Sequence, residues 1–419
     1  MLQVLGSAWA LLLGMLLLQV GNGMQGTLLG VRGALEGFST AQMSVVMAAY
    51  FAGFLFGSRV APEMIRRVGH VRVFAALGSM ISAVLILYPT VADPWAWSVG
   101  RLVIGFCFSG VYVTAESWLN NASTNATRGK ALSLYMIVQM VGIVTAQGVL
   151  VLADPSGYVL FVIPSVLVSL AFAPILLTVC PTPAFERTKA LSLRQIMEIS
   201  PLGCVGMFLL GGVFSAQLGM APVYGAEVGL SVPQLSAFVA SFFIGAIVLQ
   251  YPIGWMSDRM DRRLLILGTA AVMGTAATGG LLLAGAFAPL LVLAFVIGGM
   301  SNPLYSLIIA HTNDFLDHDD MAAAAGSMVF ISGLGAVIGP LVTGWLMGVI
   351  GPRGFFVVMA VLSFAIVVYA AYRMTRRAAP RVTESYVAVA PSASPMAVEL
   401  AQDAVIDSAQ ETAIGGKAP

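Results

Sequence analysis

Charge is what this sequence has least of. Of its 419 residues only 9% are Asp, Glu, Lys or Arg, against 59% hydrophobic. A soluble domain of this length needs a charged surface to stay solvated, so that class is excluded. Cysteine and histidine are scarce too, with three of each. Cys107, Cys180 and Cys204 fall in or at the ends of apolar runs without metal-ligand spacing, so they read as packing residues. His70, His311 and His318 stand at or beyond run ends, and no Gly-x-Ser-x-Gly, His-Glu-x-x-His or phosphate-binding glycine loop is present. Without a nucleophile and base, or a metal cluster, no enzyme chemistry is expected. No cofactor and no nucleic-acid partner are expected either.

What is abundant is apolar sequence in long runs. They recur from residue 4 to residue 373, each roughly 20 residues long, the length that crosses about 30 Å of hydrocarbon. Polar breaks divide them into twelve spans, so an all-α membrane protein in a lipid bilayer is expected. Alternate breaks differ in basic residues. One set carries Arg59, Arg66, Arg67 and Arg72, then Arg128 and Lys130, then Arg187, Lys189 and Arg194, then Arg259, Arg262 and Arg263; the opposite set has Arg32 and Arg353. Basic loops stay in the cytoplasm, which puts both termini there and the protein in a cell inner membrane. The first run lacks a basic flank and a small-residue cleavage pattern, so it is expected to remain as a helix. The sequons at Asn121 and Asn125 then lie inside the cell and are not expected to be glycosylated.

The polar stretch 181–200 separates six spans from six. Shifted by 192 positions, "GFSTAQMSVVMAAYFAG" from Gly37 lies over "GLSVPQLSAFVASFFIG" from Gly229, with Gly37/Gly229, Ser39/Ser231, Gln42/Gln234, Ser44/Ser236, Phe51/Phe243 and Gly53/Gly245 coinciding. The expected organisation is therefore an N-terminal bundle at 1–180, a cytoplasmic linker at 181–200, a C-terminal bundle at 201–375 and a tail at 376–419. Parallel repeats of this kind place a shared site between them, near mid-membrane. The tail is rich in Ala, Pro, Ser and Val without an apolar period, which predicts disorder.

Amides inside the first span need an explanation. Gln19, Asn22 and Gln25 step by three residues among glycines, on one helical face, and Gln25 lies over Gln217 in the repeat. In lipid their hydrogen bonds go unmet; beside a wet cavity, or against a neighbouring helix, they have partners. The cavity inventory read on this basis is Asn22, Gln25, Tyr112, Gln139, Gln147, Gln217, Tyr224, Asn302 and Tyr305.

Between the eighth and ninth spans stands "GWMSDRMDRR", Gly254 to Arg263. It resembles the G-x-x-x-D-R-x-x-R-R loop of the major facilitator superfamily. "GRLVIGFCFSG" in the fourth span is similar to that superfamily's R-x-x-x-G element, with Arg101 and Gly105 in the matching places. Stretches such as "RGKALSLYMIVQMVG", "QYPIGWMSDR" and "GAVIGPLVTGWLM" resemble the YcaD-like branch of bacterial transporters, over residues 5–375. The resemblance implies twelve transmembrane helices in two pseudo-symmetric six-helix bundles, the major facilitator fold, and a monomeric secondary transporter that moves a small-molecule solute by alternating access.

The first-half copy of the loop departs from the pattern: "PEMIRRVGH" puts Arg66 over Asp258 and Arg67 over Arg259. A base there repels the positive helix end that an acid suits. Before the eleventh span, "DFLDHDD" supplies Asp314, Asp317, Asp319 and Asp320. The expectation is an inner gate across the halves, Arg66 and Arg67 with Asp317, Asp319 and Asp320, and Asp258 with Arg128 or Lys130, flanked by Arg259 and Arg262. Glu116 and His311, near the inner ends of the fourth and tenth spans, and Arg101 are candidates for proton coupling or solute contact. Gly335, Gly339, Pro340 and Gly344 read as a close-packing, bending element.

A cavity of amides, hydroxyls and aromatic faces suits a neutral or singly charged, ring-bearing solute, such as the vitamin-like riboflavin, taken up with or without protons. The alternatives are multidrug or metabolite efflux by proton antiport, disfavoured by the missing G-P element in the fifth span, and a non-transporting helper or sensor.

Overall fold

A computed structural model describes residues 2–121, 123–124, 127–177, 191–283, 286–377 and 386–415. Cys180, Asn125, the first half of the 181–200 linker and the start of the tail lie outside the described residues. Among those described there is no strand. The first half comprises α1 Leu2–Leu35, α2 Thr40–Val68, α3 His70–Leu87, α4 Pro94–Asn121, α5 Arg128–Leu150 and α6 Val159–Leu177. A short α7, Leu193–Ile199, follows the linker. The second half comprises α8 Pro201–Ser215 continued by α9 Ala221–Glu227, then α10 Val232–Ser257, α11 Arg262–Leu282, α12 Phe287–Asn313, α13 His318–Ile350 and α14 Gly354–Arg376. Among the described residues, eleven spans are long and apolar enough to cross a membrane, α8 and α9 forming one of them, and the described apolar part of α6 is shorter. With α6 they make the twelve that the breaks predict.

The repeat is visible as repeated physics. Gly37 and Gly229 both turn the chain at φ +76°, a left-handed conformation that glycine adopts without a Cβ clash. The next helix of each half then opens with the same capping box, Ser39 with Gln42 and Ser231 with Gln234. Further in, the helices touch through glycine. A Cβ on Gly53 of α2 would lie 1.9 Å from the Leu102 carbonyl oxygen of α4, and one on Gly245 of α10 would lie 1.9 Å from that of Phe295 in α12. Gly142 of α5 meets the backbone at Leu16, as Gly335 of α13 meets it at Phe208. Between helices in lipid, association rests on close van der Waals approach of this kind. The close packing expected of the glycine-rich element of α13 is present, since Gly335, Gly339 and Gly344 each meet another helix with no room for a side chain.

The halves meet across α2 and α13, α5 and α10, and α1 and α9. Their contact is tightest at the face opposite the Arg-rich loops. There Gly30 packs on Pro222, Gly26 approaches the Leu218 carbonyl, Gly344 abuts Ser44 and the Thr40 carbonyl, and the Thr40 hydroxyl donates to Glu227. At the basic face, residues 386–415 of the tail enter between the halves. Composition predicts disorder for this segment. Instead residues 386–394 run without helix and α15, Pro395–Gly415, follows. Val389, Ala390, Ala393, Ser394, Ala397, Val398, Leu400 and Ala401 are all buried. Small side chains that give no amphipathic period are the ones that fit a narrow cleft from every side.

Candidate functional site

A cavity lined by polar and aromatic side chains lies between the halves. The amides of α1 explain themselves here. Gln19, Asn22, Gly23, Gly26 and Thr27 line it from one side, with Tyr50, Phe51, Phe54 and Ser58 of α2, Arg101 and Tyr112 of α4 and Gln147 of α5. The second half contributes Phe214, Leu218, Phe243, Val329 and Ser332. The space free of protein atoms, its mouth included, is about 1090 Å³.

A connected polar network covers the first-half wall. The Asn22 amide donates to the hydroxyls of Tyr50 and Tyr112 at 3.2 and 3.1 Å. Tyr112 donates onward to Gln19 at 2.6 Å, and Gln19 to Gln139 at 3.2 Å. Gln147 donates to the Gly23 carbonyl. Arg101 is 3% exposed, which settles its direction: it points inward and does not reach out to the membrane surface. Its guanidinium donates to Gln25 at 2.5 Å and lies 4.6 Å from the centre of the Tyr50 ring. Its Nε has no hydrogen-bond partner among the described residues.

The second half is less polar toward the cavity. Gln217 sits in a π-helical turn, Ala216–Met220, between α8 and α9. Pro222 lacks the N–H that would bond the Leu218 carbonyl, which opens the helix there. Gln217 accepts from Ser301 at 3.1 Å, and its Nε2 has no partner among the described residues. Of the predicted cavity residues, Asn22, Tyr112 and Gln147 line the space; Gln25 and Gln139 stand directly behind it through Arg101 and Gln19. Tyr224 does not. It stacks on Phe355 with ring centres 5.1 Å apart, inside the second half's own core. Asn302 donates to the Gly298 carbonyl of its own helix, and Tyr305 is buried beneath the wall. The lining residues Tyr50, Phe51 and Phe54 were not read as cavity residues in sequence, because aromatics inside an apolar run look like any other packing residues. For Phe51 the repeat carried a signal, since it pairs Phe51 with Phe243 and both line the space.

Glu116 is fully buried at the basic-face end of α4. It accepts from Tyr135 at 3.2 Å and from the Ser394 hydroxyl of the tail. It therefore faces the N-terminal end of α15, where a carboxylate complements the unsatisfied amides. His311 lies apart from the cavity. It packs edge-on against Phe315 and lines a small pocket with Ser200, Arg263, Arg373 and Arg377.

The gate pairs expected from sequence do not form at Arg66 and Arg67 in this conformation. Both bond Glu63, three and four residues earlier on α2, at 2.7 and 2.6 Å. Neighbours on one helix need little ordering to pair. Asp258 accepts from the Tyr386 amide of the tail at 2.9 Å rather than from Arg128 or Lys130. Arg259 lies over the Trp255 ring, with its Cζ 4.2 Å from the centre. Arg262 is buried and pairs within its own half with Asp314, at 2.5 Å, as well as with Ser257 and the Ala310 carbonyl. Beside it in the loop, Arg263 holds the Asp261 carboxyl below the usual carboxylate range. Lys130 and Asp320 are exposed, and Asp317 stands at the N-cap position of α13 without a side-chain hydrogen bond to the helix; the Asp319 side chain lies outside what the structure describes.

A family model described as the Major Facilitator Superfamily matches residues 11–201 and 203–404. The uncharacterized MFS-type transporter YcaD of Escherichia coli O7:K1 is 28% identical over 358 residues, covering 84% of this chain and 92% of that protein. Among solved structures, the nucleoside transporter NupG, as a D323A mutant, superimposes with a TM-score of 0.75 at 14% identity, covering 87% of this chain and 99% of that one. A bacterial homolog of the human lysosomal transporter Spinster, in an inward-facing and unoccupied conformation, gives 0.66 at 13% identity, covering 97% and 98%. Two glycine-locked six-helix bundles around a polar cavity, together with these matches, place the chain in the major facilitator superfamily.

Proposed function

We propose that this transporter carries a small, ring-bearing organic solute, neutral or singly negative, across the inner membrane by alternating access, in the direction of uptake. The observation that carries the solute class is Arg101. It is a buried cation inside the cavity, next to an amide, a thioether and an aromatic ring, with no carboxylate bonded to it among the described residues. A carbonyl or a single negative charge on the solute complements it, while Tyr50, Phe51, Phe54 and Tyr112 offer ring faces and Asn22, Gln19 and Gln147 offer both donors and acceptors. A vitamin-like heterocycle such as riboflavin satisfies this inventory; a polyanion or an inorganic ion does not.

Glu116 is the candidate for proton coupling, since it is a buried carboxylate at the cytoplasmic end of the same cavity system. The gate residues belong to the outward-facing state, in which the basic face would close and the first-half arginines would exchange Glu63 for the acids before α13.

A thermal-shift screen of the purified protein against metabolites identifies the solute, because a ligand that binds only the folded form raises the melting temperature. Counterflow of the hit in liposomes then tests transport. Arg101→Gln, made in the same background, is expected to abolish the ligand's shift while the unliganded protein still melts cooperatively. A full shift in Arg101→Gln would remove the assignment.

A further inference from the structure

The basic-face mouth of the cavity is not open. Residues 386–394 pass through it and α15 follows, both held by hydrogen bonds to five side chains of the bundles. The Tyr386 amide donates to Asp258, and its hydroxyl accepts from Gln250 at 2.8 Å. Its ring lies against Gly254, where a Cβ would come within 2.7 Å of it. Val389 pairs twice with Ser306: the Ser306 hydroxyl donates to the Val389 carbonyl at 3.1 Å and accepts from the Val389 amide at 2.9 Å. Pro391, Ser392 and Ala393 then form part of the cavity wall itself. Ser394 donates to Glu116, and from α15 Gln402 donates to Asn313 at 3.1 Å.

These partners have a pattern. Gly254 and Asp258 belong to the loop signature between α10 and α11; Ser306 and Asn313 lie on α12; Glu116 lies on α4 in the other half. One segment therefore bonds both halves at once, and it satisfies the carboxylates of Asp258 and Glu116, two residues read as gate and coupling groups. Its sequence suits the place. From Val387 to Ala393 it has no charge and no side chain larger than valine, so it threads a narrow cleft, and its backbone amides and carbonyls find partners where lipid and apolar wall offer none.

We propose that the cytoplasmic vestibule is a binding site for the chain's own C-terminal segment, residues 386–404, which plugs the solute pathway and latches the halves in the state closed at the opposite face. Alternating access requires the basic face to close, and it cannot close on a segment that fills it. The segment must leave in each cycle, or leave once to activate the carrier. Gate and plug are thus competitors for Asp258. The inference goes beyond the solute reading and does not depend on which solute is carried.

The test is thiol labelling of the full chain. Ser332→Cys, on the cavity wall, is made with the native cysteines replaced by serine, and inside-out vesicles are exposed to a membrane-impermeant methanethiosulfonate. The full chain is expected to react at least tenfold more slowly than a chain ending at residue 385, and a synthetic peptide of residues 386–404 is expected to restore slow labelling in the shortened chain. Ser394→Glu in the full chain sets a second carboxylate against Glu116 and is expected to label as fast as the truncation, so the proposal stays testable should the shortened chain not fold. Equal rates in the full chain and Ser394→Glu, or a peptide without effect on a folded truncation, would overturn it. Neither outcome bears on the thermal-shift screen, so failure of the plug and failure of the solute assignment are told apart.

Discussion

At the scale of single residues, the energetic weight falls on buried polar groups rather than on the many exposed arginines. Arg262 and Asp314 both have side chains 1% exposed. A buried pair loses roughly 3–5 kcal/mol when one member is removed, because the other's buried charge is no longer compensated by an opposite one. Asp314→Ala is therefore expected to lower the melting temperature of the purified protein far more than Glu198→Ala, whose pair with Arg194 is exposed; similar melting of the two would refute the ranking. Much at this scale was legible in the sequence. Amides stepping by three on an apolar helix had to face something polar, and Asn22 does. The Glu63 pairing was legible too, since it obeys the three-and-four spacing rule, but the departure of Arg66 from the loop pattern drew attention to a distant acid instead. Tyr224 shows the limit: a buried tyrosine can serve a core or a cavity, and only the three-dimensional position of Phe355 decides.

At the scale of elements, the same helix pair is built twice. Gly53 against Leu102 and Gly245 against Phe295 are the same contact in each half; the glycines are related by the 192 shift and their partners by 193. A substituent on either glycine must push the helix axes apart and forfeit the packing that holds helices together in lipid. Gly53→Val and Gly245→Val are each expected to eliminate folded protein in detergent, judged by size-exclusion profile. Gly148→Ala on α5, where an added Cβ meets nothing within 4 Å, is expected to be neutral or to stabilise by up to about 1 kcal/mol. If the valine variants elute as the parent does, close glycine contact is not what sets these helix pairs. The repeat made the first contact foreseeable from sequence. The tail was not foreseeable, because its order depends on Asp258, Ser306 and Glu116, residues about 80 to 280 positions away, and composition carries no information about such partners.

For the whole molecule, the consequence is an equilibrium between two arrangements biased by one peptide. Contacts on the far face, among them Thr40 with Glu227, exist only while that face is closed; a pairing of Arg66 or Arg67 with the acids before α13 belongs to the state in which the segment has left. A ligand shifts such an equilibrium only by its differential affinity for the two states, and the C-terminal segment has a site in just one of them. Two cysteine pairs should then respond in opposite senses to its removal. Cross-linking of Thr40→Cys with Glu227→Cys by a short thiol reagent is expected to fall when the chain ends at residue 385, while Arg67→Cys with Asp320→Cys is expected to gain. Both pairs moving in the same direction would mean that the two faces do not alternate. Neither pair moving would mean that the segment fills the vestibule without controlling it, since a docked peptide that leaves both faces unchanged has equal affinity for both arrangements.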